Sequence, residues 1–316
     1  MSHYYTLKVI LLGCILYSVS GQILNKLFES SESELNHLCG ESNPNGLESN
    51  AKVTEDRSKV GQYPWTIALL NKGIFIGGGS LISPDVVLTA AHLVVNKNVA
   101  DISVRAGEWN MASVTEEFGH EDRQVDNITV HEEFSFQSGS NNIALLFLKT
   151  PFKLKSNIRT ICLPCRETSF DQKRCFVTGW GKLAFEDKNF LNIPKKIDLP
   201  LVSKEACQDM LRKTTLGAQY ELHSSLMCAG GEKGKDACLG DGGSALFCPM
   251  ESDPQRYEQI GIVNWGIGCG EENVPATYTN VEMFRDWIDR QLARDMIGVP
   301  LAAKIPLQFK RENPIV

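Results

Sequence analysis

The chain has 316 residues, enough for one or two domains with a full core. Its 42% hydrophobic and 22% charged residues exclude a disordered chain, and a formal net charge of −6 gives no electrostatic basis for nucleic acid or an anionic membrane as partner. Ten cysteines call for a defined redox compartment.

In chain order, the first element is the apolar run Val9 to Val19, which follows Lys8 and precedes Ser20-Gly21. A bilayer-spanning helix needs about 20 apolar residues, so the run is too short to be an anchor. It predicts a secretory signal peptide, residues 1–21, removed after Gly21. A buried N-terminal helix is disfavoured because the polar stretch from Gln22 to Val60 offers it no packing partner. Secretion permits disulfides and makes Asn127-Ile128-Thr129 an acceptor for glycosylation. Residues 22–52 are rich in Ser, Asn, Glu and Gly, contain only Cys39, and predict a linker.

From Val53 to Ala293, short β-prone runs alternate with turn residues. Thr66–Leu70, Val86–Thr89, Ile143–Leu148, Cys175–Gly179 and Gln259–Trp265 predict an all-β sandwich or barrel. One helix is predicted near the end, where Val281, Phe284, Trp287, Ile288 and Leu292 recur at helical spacing on one face. Residues 294–316 carry Pro300, Pro306 and Pro314 without a period and read as a tail.

Six motifs follow in order: Gly78-Gly79-Ser80-Leu81-Ile82, Thr89-Ala90-Ala91-His92, Asn142-Ile143-Ala144-Leu145-Leu146, Thr178-Gly179-Trp180-Gly181, Asp236-Ala237-Cys238-Leu239-Gly240-Asp241-Gly242-Gly243-Ser244, and Trp265-Gly266-Ile267-Gly268-Cys269-Gly270. Together they resemble the chymotrypsin-like serine proteases over about three quarters of the chain. The resemblance implies two six-stranded antiparallel β-barrels with a C-terminal helix and a site between them. Chemistry in that family needs a serine, a histidine and a buried carboxylate. Of these only His92 is present. The nucleophile position is Gly242 and the carboxylate position is Asn142. A neutral amide cannot stabilise an imidazolium, and its NH₂ favours the wrong tautomer. Ser244 is two residues past the nucleophile position, too far for a geometry in which 1 Å can cost about 100-fold.

The resemblance also implies an oxyanion-hole remnant in the backbone N–H groups of Gly240 and Gly242. Asp236 and Gly266 match the floor and an open wall of a trypsin-like specificity pocket, and Ala276 stands where the other wall is usually glycine. Asp236 then either recognises Arg or Lys or is an inherited carboxylate facing water. Activation in the family places a freshly cut amino terminus against the Asp before the nucleophile, here Asp241. The matching segment reads Lys52-Val53-Thr54-Glu55 and is one residue out of register. Asp241 is therefore expected to lack its amine, so that restoring hydrolysis would take a new amino terminus as well as Gly242→Ser and Asn142→Asp.

With Cys14 removed in the signal peptide, nine cysteines remain. The resemblance pairs Cys175 with Cys248, Cys207 with Cys228 and Cys238 with Cys269, and tethers Cys39 to Cys162. The family's bridge beside the histidine is absent at both ends, Gly77 and Leu93. Cys165 is left over and is expected as a buried thiol, with an intermolecular bond as the alternative. Glu108 and the run Glu116–Asp122 are expected to form a solvated acidic loop rather than a calcium site, which takes about six to eight oxygens. His120 and His131 are expected as surface histidines, and no metal or other cofactor is expected.

Within the family the chain resembles the secreted serine protease homologues of arthropods, of the masquerade and prophenoloxidase-activating-factor type. Cys39-Gly40-Glu41-Ser42-Asn43-Pro44-Asn45-Gly46 resembles their linker, although Gln22 to Val60 has one cysteine, so their six-cysteine clip domain is not expected there. The resemblance implies a catalytically dead homologue that binds extracellular proteins, such as proteases or zymogens of an immune cascade, with no membrane anchor. Two alternatives stay open: an active trypsin-like endopeptidase with displaced catalytic residues, and a carbohydrate- or microbe-surface-binding module on a protease fold.

Overall fold

The computed structural model describes residues 39–47, 52–165 and 173–296. The predicted signal peptide, most of the predicted linker and the tail beyond Met296 lie outside the described residues.

Twelve strands form two closed antiparallel barrels. The first contains β1 (Thr66–Asn71), β2 (Ile74–Ser83), β3 (Val86–Thr89), β4 (Ile102–Ala106), β5 (Glu121–Val130) and β6 (Ala144–Leu148), joined in the order β1-β2-β3-β6-β5-β4. The second contains β7 (Arg174–Gly179), β8 (Lys195–Val202), β9 (Leu226–Gly230), β10 (Ala245–Pro249), β11 (Tyr257–Trp265) and β12 (Pro275–Asn280), in the order β10-β11-β12-β9-β8-β7. Closure leaves no unpaired edge, and alternate residues of each strand point inward. Ile67, Leu69, Leu81, Val87, Val104 and Leu146 fill the first interior. Val177, Leu199, Leu246, Ile260 and Tyr278 fill the second.

The barrels share a third apolar layer. Trp65 meets Phe247 edge to face at 5.2 Å, and Ser80 Oγ donates across the interface to Gln259 Oε1 at 2.5 Å. The predicted C-terminal helix joins this layer. A 3₁₀ turn (Glu282–Phe284) leads into a helix that runs Arg285–Met296, past the predicted boundary at Ala293. Val281, Phe284, Trp287, Ile288 and Leu292 are all buried in the apolar cluster that also holds Trp65 and Phe247. Two further helices are Ala91–Val94, here α1, and Lys204–Arg212, here α2, whose Ser203 Oγ accepts from Ala206 N–H at 3.3 Å as the N-cap. The C-terminal helix is α3. Among the described residues no helix is long and apolar enough to cross a membrane.

Four disulfides join Cys39–Cys162, Cys175–Cys248, Cys207–Cys228 and Cys238–Cys269. The first ties the N-terminal segment to the barrels, reinforced by Gly40 N–H on Thr160 O at 2.8 Å and Arg256 Nε–H on Cys39 O at 3.0 Å. Cys165 is exposed, not buried as expected, because it follows Pro164 out of the core beyond Leu163. At Gly77 an added Cβ would lie 2.7 Å from Leu93 Cδ1, so the leucine fills the space beside the histidine that a bridge would otherwise occupy.

Candidate active site

His92 lies on α1, directly after β3, and Asn142 lies just before β6. The pairing of β3 with β6 brings them together. Asn142 is 2% exposed and its amide orientation is fixed by three hydrogen bonds, two with His92 and one with Asn264. Its Oδ1 accepts the His92 backbone N–H at 2.9 Å, so its NH₂ faces His92 Nδ1 at 2.8 Å and Asn264 Oδ1 at 2.5 Å. Asn264 is itself oriented by donating to Gly139 O at 2.7 Å. Nδ1 therefore accepts, and the proton of the neutral ring sits on Nε2. Burial holds the imidazole below its ordinary pKa, which favours that neutral form. A catalytic base needs the opposite tautomer.

Gly242 lies beside Nε2. A Cβ added there would be 3.0 Å from Nε2 and 3.2 Å from Cε1. No hydroxyl occupies this position. Ser244 does not replace it: the residue is 2% exposed, and a Cβ added at Gly78 would overlap its Oγ while one at Gly179 would lie 3.0 Å from it. Its side chain is wedged between β2 and the end of β7.

The turn from Cys238 to Ser244 is anchored through Asp241, whose side chain is fully buried. Asp241 Oδ1 accepts from Gly181 N–H at 2.9 Å and Oδ2 from Cys238 N–H at 2.8 Å. A side-chain cation that the sequence reading did not anticipate stands where the expectation concerned only a terminal amine. Lys195, equally buried, places Nζ 2.5 Å from Asp241 Oδ2 and also donates to Lys182 O. Sequence reading missed Lys195. The signal was present in the alternation Lys195, Ile197, Leu199, Leu201, which puts a lysine on the inward face of β8.

Asp236 is 7% exposed. Its Oδ2 accepts from Gly270 N–H at 3.0 Å, while Oδ1 and the nearby buried Tyr278 hydroxyl have no hydrogen-bond partner among the described residues. Burial raises the Asp236 carboxyl to about 6, and burial together with Asp236 and Asp241 raises the Tyr278 hydroxyl well above its usual range. The pocket walls are close: a Cβ at Gly266 would lie 3.6 Å from the Ala276 methyl. On the other side Phe190 packs onto Gly240, where an added Cβ would be 2.7 Å from Cε1, and meets Phe75 edge to face at 5.5 Å. Leu183, Phe185, Phe190 and Leu239 are exposed apolar side chains, each 45–46% accessible, and the Lys182 N–H bond to Leu239 O at 2.8 Å joins the segments that carry Leu183 and Leu239.

The acidic loop differs from expectation. Glu108 is buried rather than solvated. Its Oε2 pairs with His120 Nδ1 at 2.9 Å and Arg105 Nη1 at 3.2 Å, so His120 is not a solitary surface histidine. Glu116 Oε1 accepts from Asn110 N–H at 2.8 Å, and burial beside Glu108 pushes its carboxyl to about 7. The ligand atoms of Glu108, Glu116 and His120 lie within 4.8 Å of one another. Two carboxylates and an imidazole, with a guanidinium already on one oxygen, do not match the oxygen cage that calcium takes. His131 is half-buried against Phe284 and Trp287, at 5.0 and 5.2 Å, where it packs under α3. Asn127 is half-buried in β5, opposite Phe147.

The family profile described as Trypsin matches residues 52–288. Phenoloxidase-activating factor 2 of Galleria mellonella is 43% identical over 81% of this chain and 89% of its own length. The inactive CLIP domain-containing serine protease A8 of Anopheles gambiae is 38% identical over 79% of this chain and 70% of its own. Protein masquerade of Drosophila melanogaster is 34% identical over 79% of this chain, which spans only 24% of that protein. The two closed barrels, the histidine at their junction and this match over most of the described residues place the chain in the trypsin family of serine proteases.

Proposed function

We propose that this protein is a secreted, catalytically dead serine protease homologue that acts by binding other extracellular proteins. Its role is that of regulator or cofactor in a proteolytic cascade of innate immunity, with proteases or zymogens of that cascade as partners. One observation carries the loss of catalysis: the position facing His92 Nε2 is Gly242, which has no atom to acylate. The Asn142 amide supports it by putting the ring proton on the nitrogen that would have to accept one. The four disulfides support an extracellular site of action. The exposed apolar side chains Leu183, Phe190 and Leu239, carried on segments joined beside Gly240, support action through protein contact. The names of its relatives point the same way, one being a phenoloxidase-activating factor and another an inactive protease. Peptidase chemistry with a displaced serine finds no support in the placement of Ser244, and nothing in the site favours a carbohydrate ligand.

The test has two arms. A fluorophosphonate probe should leave the purified protein unlabelled; labelling that disappears in His92→Ala would overturn the loss of catalysis. A pull-down from the body fluid of the secreting organism should enrich proteases or their zymogens. Enrichment of microbial polysaccharide in their place would overturn the protein-binding role.

A further inference from the structure

The Asp241–Lys195 pair bears on how the cleft is controlled. The activation that the family resemblance implies sets a freshly cut terminal amine against the corresponding aspartate. In this chain the socket is already full. A Cβ at Gly181 would fall 2.5 Å from either Asp241 carboxylate oxygen, and one at Gly179 would fall 2.6 Å from Oδ1. Both Asp241 and Lys195 are inaccessible to solvent, and a buried carboxylate stays charged only with a partner at close range.

The residues that follow Lys52-Val53-Thr54-Glu55 are held against the second barrel. Lys196 N–H donates to Asp56 O at 2.9 Å, and Ser58 N–H donates to Pro194 O at 2.9 Å. Ser58 Oγ meets Thr178 Oγ1 at 2.9 Å, and Trp109 Nε1–H donates to Ser58 O at 2.9 Å. These bonds lay residues 56–58 along the start of β8, the strand that carries Lys195.

We infer that Lys195 is a built-in substitute for a released amino terminus: it holds Asp241, and through it the Gly240–Ser244 turn, in the set conformation in the uncleaved chain. Lys195 is a positioning residue. Proteolysis near Lys52 is then not the switch that shapes this cleft. The inference does not depend on what the cleft binds, so a failed pull-down and a failed exchange experiment refute different statements.

The test is hydrogen exchange on the intact purified chain and on the same protein nicked between residues 47 and 53. Peptides spanning 238–244 and 181–191 should be equally protected in both, within about threefold. Protection that rises tenfold or more on nicking overturns the inference (a change on the order of a tenth of what an orphaned buried charge produces). Lys195→Met should speed exchange in those two segments by about 100-fold or more while β1 to β6 change little. If that variant does not fold, Lys195→Met with Asp241→Asn removes both charges and leaves none orphaned. The double variant should still exchange faster than wild type in 238–244, and unchanged protection there would overturn the positioning role.

Discussion

Restoring the nucleophile alone should yield almost nothing, and the structure gives the size of the shortfall. In Gly242→Ser the new Cβ arrives 3.0 Å from His92 Nε2, so the ring must yield by a few tenths of an ångström. The larger obstacle is the amide of Asn142, which donates to Nδ1 and leaves the proton on Nε2. In this family's triad the carboxylate-to-amide change lowers turnover by about 10⁴, close to 5.4 kcal/mol of transition-state stabilisation. Asn142→Asp removes that block, but it sets a carboxylate oxygen where Asn264 Oδ1 now lies 2.5 Å from the amide nitrogen. Asn264 can turn only by giving up its bond to Gly139 O. Adding Asn264→Ser replaces the opposing oxygen with a short donor. The assay is the second-order rate of fluorophosphonate labelling, together with turnover of an arginine reporter ester, for the single, double and triple variants in the uncut chain. The expected order is single far below double, by about 10³-fold or more, with the triple fastest. Because Lys195 already holds Asp241, no new amino terminus is needed, which revises the expectation drawn from Lys52-Val53-Thr54-Glu55. Labelling of Gly242→Ser alone within tenfold of the double variant would refute the tautomer argument (about 1.4 kcal/mol in place of 5.4).

Three other outcomes are expected. Cys39→Ser with Cys162→Ser opens a loop of sequence separation 123 and should cost about 4–5 kcal/mol in the chain-entropy account, read by urea unfolding; a cost near zero would show that the tether adds nothing. Asp236 has a folded-state pKa of about 6 against 3.8 unfolded, so the native state binds more protons between those values and stability falls as pH rises through them, by about 3 kcal/mol in total. Asp236→Asn should therefore stabilise the protein at pH 7.5 and much less at pH 4.5, and an equal effect at both would refute the burial argument. Gly77→Ala, whose Cβ meets Leu93 Cδ1 at 2.7 Å and Gly242 O at 2.8 Å, should destabilise by about 1–3 kcal/mol, and Leu93→Ala should recover part of that loss in a double-mutant cycle; strict additivity would show that the two do not pack together.

Much of this protein is written in residue identity and local pattern. The short β-prone runs that became β1, β3, β6, β7 and β11 are recognised from their apolar, β-branched composition and the turn residues between them. The helical spacing of Val281, Phe284, Trp287, Ile288 and Leu292 likewise marks the face that α3 buries. The substitutions at Gly242 and Asn142 are visible without any coordinates, because an absent hydroxyl or carboxylate is a fact of composition at a position that the ordered motifs mark. Interactions across the folded chain are of another kind. Lys195 stands next to Lys196 in sequence and differs from it only in which side of β8 faces inward, and its partner Asp241 is set opposite it only when the second barrel closes. The wrong-tautomer lock at His92 depends on Asn264, brought in from β11 across the barrel junction. Glu108 reads as one more acid in an acidic loop until Arg105, Glu116 and His120 converge on it. Charge state and donor direction depend on distance and burial, and those quantities exist only once both barrels have closed and packed against each other.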